Sequence, residues 1–343
     1  MLHKTVGKGR QSRWLLGILI SVAALALAVR GVPPERLAAS LASARIELIA
    51  AAAVFVLIGL AARARSWQIL LGDGVSLSGA FSALNVGYLL NNALPLRLGE
   101  LGRAYLIGRN TEGRTSASRA LSSVVVERLI DVVVSLTGLV AAIPFALSAP
   151  WATRVAWAAA LAAAGLYLAL YLAARFRSRL MPMVTSALTG AFKGRLSGLS
   201  RTVDSFLSGL EVLRDPRRLG GAAFWSAMAW LTAWAQIWLV QRAFGVEGGS
   251  TALFALGVVA FGAAVPSSPG AIGVYELSIV AALLAFNLPR DTALSVALVS
   301  HACVLGVTSL LGAISLARQG QSLSDVARSA QRLVSRPAAD RSA

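Results

Sequence analysis

Cysteine is almost missing: Cys303 stands alone inside an apolar run, so no internal disulfide staples this fold. Charge is scarce as well. Only 14% of the 343 residues are Asp, Glu, Lys or Arg, against about 25% in a soluble domain. A deficit spread over most of the length excludes an ordinary soluble chain and points to a membrane protein. Acidic residues are the scarcer sign, 15 against 32 Lys and Arg. Nucleic-acid binding would use such an excess, but the positives cluster between apolar segments, as cytoplasmic loops require, and no nucleic-acid partner is expected. The two histidines, His3 and His301, give no metal-ligand spacing. Phosphate loop, dinucleotide fingerprint, nucleophile elbow and HExxH are all missing. On that ground neither cofactor, metal nor enzymatic activity is expected.

What is present is a series of apolar segments. Residues 14–29 form the first, after a basic stretch, 1–13. Ala26-Leu27-Ala28 resembles a signal cleavage site, but the recurrence of similar segments favours an uncleaved span. Residues 46–62 form the second, ending at Arg63, Arg65 and Trp67, the last read as an interface tryptophan. Residues 79–94 are interrupted by Asn85, Asn91 and Asn92 and stopped by Pro95; after a charged turn, 101–108 is apolar again. Residues 120–147 carry Glu127, Arg128 and Asp131. Then come 152–174, the tryptophan-rich 219–241, 251–265, a Pro/Gly break, 274–286 and 292–317. Between them, Phe192, Leu196, Leu199, Val203, Phe206, Leu210 and Leu213 form one helical face, which reads 178–213 as an amphipathic helix on the membrane surface.

With the N-terminus inside, 25 Lys and Arg fall in inner loops and five in outer ones, with Arg128 and Arg154 inside spans. That split obeys the positive-inside rule. It requires 79–108 to enter and leave on the inner side and 251–286 on the outer side. Two short, Gly/Pro-broken segments of opposite orientation, one per half, suggest an inverted repeat and locate a transporter's site. Two pairs of short tilted spans would give the same loop orientations.

Three constellations carry chemistry. In the first, 91–103, Pro95 ends a helix, Asn91 and Asn92 can satisfy freed backbone groups, and Arg97, Glu100 and Arg103 are charged. Glu100 and Arg103, three apart, share a helical face and can pair; Arg128 is the alternative partner for Glu100. In the second, Glu127 and Asp131 lie four apart beside Arg128. At a helix centre each charge costs about 2.5–3.5 kcal/mol on insertion scales. They must therefore face protein or water, or else the span starts near Leu129 and they sit at its edge. In the third, Pro266, Pro269, Gly270 and Gly273 break a helix, and exposed amides with Ser267 and Ser268 could cradle an anion at the next helix N-terminus. Glu276 falls in that helix's first turn, either as a structural cap or as a group that meets a head group or couples a proton to its passage. Trp230, Trp234 and Trp238 form one face, read as packing or lipid contact; His301 is read as bonded to a neighbouring helix, with membership of a proton path as the alternative.

Together, 94–103, 127–131 and 266–276 resemble the lysylphosphatidylglycerol synthase transmembrane-region family of flippase-like proteins. The resemblance implies a bacterial plasma-membrane protein related to the membrane half of multiple-peptide-resistance proteins, which is thought to move an aminoacylated phospholipid between leaflets. It also implies polar family positions at Arg97, Glu100, Arg103, Glu127, Arg128, Asp131 and Glu276. Many members carry a second glycine where this chain has Ala271. The sequence shows no aminoacyl-transferase domain after its last span, so synthesis of the lipid is not expected of it.

The expected fold is an all-α polytopic membrane protein with about six full transmembrane helices and two broken or re-entrant hairpins in a single domain, 14–317. A basic, disordered cytoplasmic tail, 318–343, follows. The expected function is translocation of a phospholipid or polyprenyl-linked lipid. A membrane-embedded transferase using a lipid-linked donor, or a scaffold for a partner synthase, are the alternatives.

The charge split makes a direct prediction. Cysteines introduced at Arg109 and Ser200 resist an impermeant thiol reagent in intact cells, and one at Gly248 reacts. Labelling of Ser200 from outside overturns the topology.

Overall fold

The computed structural model describes residues 5–94, 98–110, 115–146, 214–262 and 265–335, with single positions between 161 and 212. The amphipathic stretch 178–213, the span 152–174, Pro95 and Arg97 therefore lie outside the described residues or almost wholly so. Every regular element among the described residues is helical. In chain order they are α1 (Thr5–Val29), α2 (Pro34–Ala42), α3 (Ile46–Leu71), α4 (Leu77–Ala93), α5 (Gly99–Asn110), α6 (Ala117–Ala146), α7 (Pro216–Ala243), α8 (Gly249–Gly262), α9 (Val274–Leu284), α10 (Arg290–Arg318) and α11 (Leu323–Ser335). A 3₁₀ turn, Pro269–Ala271, precedes α9.

Two of these, α3 and α10, are long and apolar enough to cross a bilayer. Leu15–Val29 with Pro34–Ala42 makes a third such segment, bent by 79°. The bend has a covalent origin: Gly31 takes a positive φ of 76° and Pro33 and Pro34 follow it. Helix α3 does not stop at 62. It continues through Arg63, Arg65 and Trp67 to Leu71, capped by Gly72 at φ 84°. Arg63 is thus inside a helix and not in a loop, and Trp67 is fully buried and not at an interface.

The expected hairpins are present as helix–break–helix units. In the first, α4 and α5 pack on each other; the charged turn expected after Pro95 is instead the first turn of α5, from Gly99. In the second, α8 and α9 pack on each other about the 3₁₀ turn. At 17, 12, 14 and 11 residues, none matches the ~20 residues a span needs. The two units meet, since the 3₁₀ turn packs on α4. Helix α10 packs against both α4 and α9 and so ties the hairpins together.

Close approach is set by small residues, as is usual where lipid supplies no hydrophobic drive between helices. A Cβ on Gly59 of α3 would collide with the Thr232 hydroxyl of α7. The Ser66 hydroxyl donates to the Ala222 carbonyl across the same pair, 2.8 Å. Between α4 and α5, a Cβ on Gly99 would strike the Gly87 carbonyl. Leu15, Leu19, Val54, Ile58, Leu231 and Leu310 are exposed on the outside, an arrangement costly in water and suited to lipid.

The tail is not wholly disordered as expected. Leu323–Ser335 is a helix packed on α5, with Val326 and Ala330 fully buried and Val326 beside Gly102. Its alternation of alanine and valine with Asp325 and Arg328 gives one apolar stripe, which this contact covers.

Ala271 takes φ 57°, where an L-residue costs roughly 1–2 kcal/mol. Ala271→Gly is expected to leave the fold intact and to stabilise it by up to about 1 kcal/mol, after the entropy that glycine returns to the unfolded chain is subtracted. A thermal unfolding scan in detergent reads this as an unchanged or higher midpoint; a marked fall would contradict the strain.

Candidate functional site

The polar residues gather at two places. The first joins α3, α5 and α6. Helix α6 starts at Ala117, so Glu127 lies well inside it and not at its edge. Glu127 is 1% exposed, and two guanidiniums face it. Arg103 Nη2 lies 2.7 Å from Oε2, and Arg63 Nη1 lies 3.7 Å from Oε1. The Arg103 contact is an ion pair whose atoms are not aligned for a hydrogen bond. The Arg103 guanidinium also rests over the Trp67 ring, 4.6 Å from its centroid, and the Trp67 indole N–H donates to Ser123 Oγ, 2.9 Å. Stacking on a desolvated indole stabilises the cation by about 2 kcal/mol.

One turn along α6, Asp131 accepts from Arg63 Nη1 at 2.7 Å, from Ser226 Oγ at 2.9 Å and from Trp230 Nε1 at 3.1 Å. Arg128, half exposed, reaches Asp131 at 3.5 Å and Glu100 at 3.6 Å. Of its two candidate partners, Arg103 and Arg128, Glu100 pairs with Arg128, and Arg103 pairs with Glu127, because α5 turns those two side chains toward different partners on α6. Three arginines and three carboxylates form the set, so their formal charges balance. Asn91 Oδ1 accepts from Gly99 N at 2.8 Å, which satisfies a first-turn amide of α5. Asn92 donates to Thr308 and Ser309 of α10, 2.9 and 3.0 Å. A narrow cleft lined by Gly87, Tyr88, Asn91, Glu100, Arg103 and Arg128 opens here.

On the far side of Asp131 lies an apolar groove of about 600 Å³ between α6, α7 and α8, lined among others by Val134, Trp230, Leu231, Trp234, Leu253 and Leu256. Trp230 belongs to both features, since its ring lines the groove while its N–H reaches Asp131. In the sequence Trp230 reads as packing or lipid contact and Arg63 as a loop residue. Their spacing, Arg63 four before Trp67 and Trp230 four after Ser226, is compatible with one polar helix face, but only the packing of α3 and α7 on α6 brings them to Asp131.

The second place is the break before α9. The anion cradle expected there is already filled. Glu276 Oε2 accepts from the Gly273 amide at 2.6 Å, so the chain's own carboxylate occupies the helix N-terminus. The Ser268 amide donates to Ser21 Oγ at 2.8 Å, and the Ser268 hydroxyl stays within its own turn. A Cβ on Gly17 would meet the Ser267 carbonyl; helix α1 thus backs the break, as irregular backbone at membrane depth requires. His301 of α10 contacts Glu276 Oε1 through Nδ1 at 2.6 Å and the Gly270 carbonyl through Nε2 at 2.9 Å.

Removing one partner of the Arg103–Glu127 pair leaves a buried charge unpaired. Arg103→Ala is expected to destabilise by about 3–5 kcal/mol, read as a large drop in the thermal midpoint. The double change Arg103→Leu with Glu127→Gln recovers most of the loss, because neither side then buries a charge. A single variant with wild-type stability would show the pair to be solvated.

Comparison with known proteins adds three findings. The description "Lysylphosphatidylglycerol synthase TM region" matches residues 14–312. The "Glycosyltransferase AglD" of Haloferax volcanii is 25% identical over 335 residues, which cover 88% of this chain and 53% of that protein. No solved structure matches. The chain thus spans about half the length of the curated relative it matches. That relative overturns the expectation that the chain is not an enzyme, for the missing motifs exclude only the chemistries those motifs carry. The match over 14–312 covers all three polar constellations and every helix that positions them, and the chain belongs to the lysylphosphatidylglycerol synthase transmembrane-region family.

Proposed function

We propose that this membrane protein handles a lipid or lipid-linked carrier, and that its polar head passes between leaflets along the charged cluster while its hydrocarbon chain stays in the apolar groove. The observation that carries the reading is Trp230, which lines that groove and holds Asp131 of the cluster through the same ring. A lipid needs this juxtaposition of a dry slot and a charged wall; a soluble solute does not. Preorganised charges that replace water lower the barrier to moving a head group through a low-dielectric region. Arg128 and Glu100 are the exposed members of the set and make the first contact. The cleft beside them is narrow, so passage needs the first hairpin to move against α6. Around the two hairpins this reading places about six full spans in a bacterial inner membrane, with both termini cytoplasmic.

A second reading has group transfer to or from a lipid-linked carrier take place at the same cluster. It is favoured by the glycosyltransferase relative and by the neighbouring carboxylates Glu127 and Asp131.

One experiment separates the two. The purified protein is reconstituted with a labelled anionic phospholipid and, separately, a labelled polyprenyl phosphate, and both leaflet exchange and new lipid products are followed. Translocation predicts leaflet exchange that falls at least about tenfold in Arg128→Gln, a loss of about 1.4 kcal/mol in barrier lowering, with an unchanged thermal midpoint because Arg128 is half exposed. A new product lipid made by the protein from an added glycosyl donor supports transfer. Neither exchange nor product, or wild-type exchange in Arg128→Gln, defeats the translocation reading.

A further inference from the structure

We propose that Glu276 and His301 form a proton-binding site that latches the tip of the second hairpin to α10, and that loss of its proton frees the tip. The inference rests on the translocation reading only for its last step, the coupling of that release to lipid movement.

The argument is a count of donors and acceptors. The Gly270 carbonyl can only accept, so the Nε2 that meets it at 2.9 Å carries a hydrogen. The Gly273 amide can only donate, so the Oε2 that meets it at 2.6 Å carries none. Between them, Nδ1 and Oε1 lie 2.6 Å apart, the distance of a charge-assisted hydrogen bond, and that contact needs one hydrogen more. The pair as wired therefore holds two hydrogens and is neutral overall, whichever of Nδ1 and Oε1 carries the shared one. Deprotonation takes H⁺ from the pair to water and leaves it at −1, with the Nδ1 lone pair facing a carboxylate oxygen. Reprotonation from water reverses the step, and atoms and charge balance.

Among the described residues no cation pairs with that charge. Both side chains are about 5% exposed, and the contact they make is the only ion pair that either one forms among the described residues. The other titratable groups beside them are acids when they titrate: Tyr275, stacked on the His301 ring with centroids 4.2 Å apart, and Cys303 further along α10. Around the turn, α1 presents the Ser21 hydroxyl to the Ser268 amide, and the Asn92 carbonyl of α4 lies beside Gly270; neither titrates. The proton is thus the group that holds three pieces of backbone together: Gly270 before the turn, Gly273 after it, and α10 across from both. Ala271, between Gly270 and Gly273, has a positive φ, a conformation that a residue with a Cβ keeps only while its surroundings impose it. The same turn packs on α4 of the first hairpin, so its release loosens the contact between the hairpins.

The test uses the full-length protein in lipid nanodiscs with ¹⁵N-labelled histidine. The chain has two histidines, so His3→Gln leaves His301 as the sole signal. A titration of the ring nitrogens is expected to show one step, displaced by at least about one pH unit in Glu276→Gln, a tenfold change in proton affinity. No step while the protein stays folded, or the same midpoint in both, overturns the proton site. Leaflet exchange of the labelled phospholipid is then followed against pH in vesicles. The wild-type rate is expected to change across the same pH as the step, and the profile to move with the step in Glu276→Gln. A wild-type rate independent of pH overturns the coupling even where the site exists. Absence of exchange at every pH defeats the translocation reading instead, and the titration alone then decides the proton site.

Discussion

Glu127 is a carboxylate with almost no access to water, placed between the guanidiniums of Arg103 and Arg63. Three helices depend on that arrangement, because α3, α5 and α6 each contribute a charge that none could hold alone in an apolar medium. An isolated ion there would be shifted to its neutral form or would draw water in. Here the charge is spread over six groups whose formal charges balance, with Trp67 beneath one arginine and Ser226 and Trp230 on one aspartate. The network also explains why α3 runs on past its apolar stretch to Leu71: Arg63 is a partner that the carboxylates of α6 require.

The second hairpin solves a different problem with the same means. Its turn cannot close the backbone hydrogen bonds of a helix, and lipid offers none in exchange. Side chains supply them: Glu276 on the Gly273 amide, His301 on the Gly270 carbonyl and Ser21 on the Ser268 amide. All but Glu276 come from other helices, so the break can exist only inside the assembled bundle. The first hairpin is served by Asn91 in the same way. Both hairpins lean on α10, which gives Thr308 and Ser309 to one and His301 to the other. A movement of either is therefore felt by the same helix.

The chain covers 53% of a relative named a glycosyltransferase, so group transfer stands beside lipid movement as a proposed use. The two uses share a physical requirement, a polar head held at membrane depth with its chain in an apolar slot. The groove lined by Trp230 and the cluster around Asp131 set an apolar slot against a charged wall.

The amino-acid sequence by itself determined that this is a helical membrane protein, that Pro and Gly break it near 95 and 266–273, and that Glu127, Arg128 and Asp131 fall in one apolar segment. Those facts follow from hydropathy, from proline and glycine, and from the cost of charge in lipid, all local in the chain. Glu127, Arg128, Asp131 and Glu276 were visible as anomalies for that reason. The tertiary structure alone decided the partners. Glu100 and Arg103 share a helical face in sequence yet turn to different residues of α6, Arg63 joins from a segment that reads as a loop, and Trp230 changes from packing to a ligand of Asp131. His301, twenty-five residues from Glu276, closes on it only because α10 packs on α9. Helical periodicity says which way a side chain points, and only the packing of one helix on another says what it meets there.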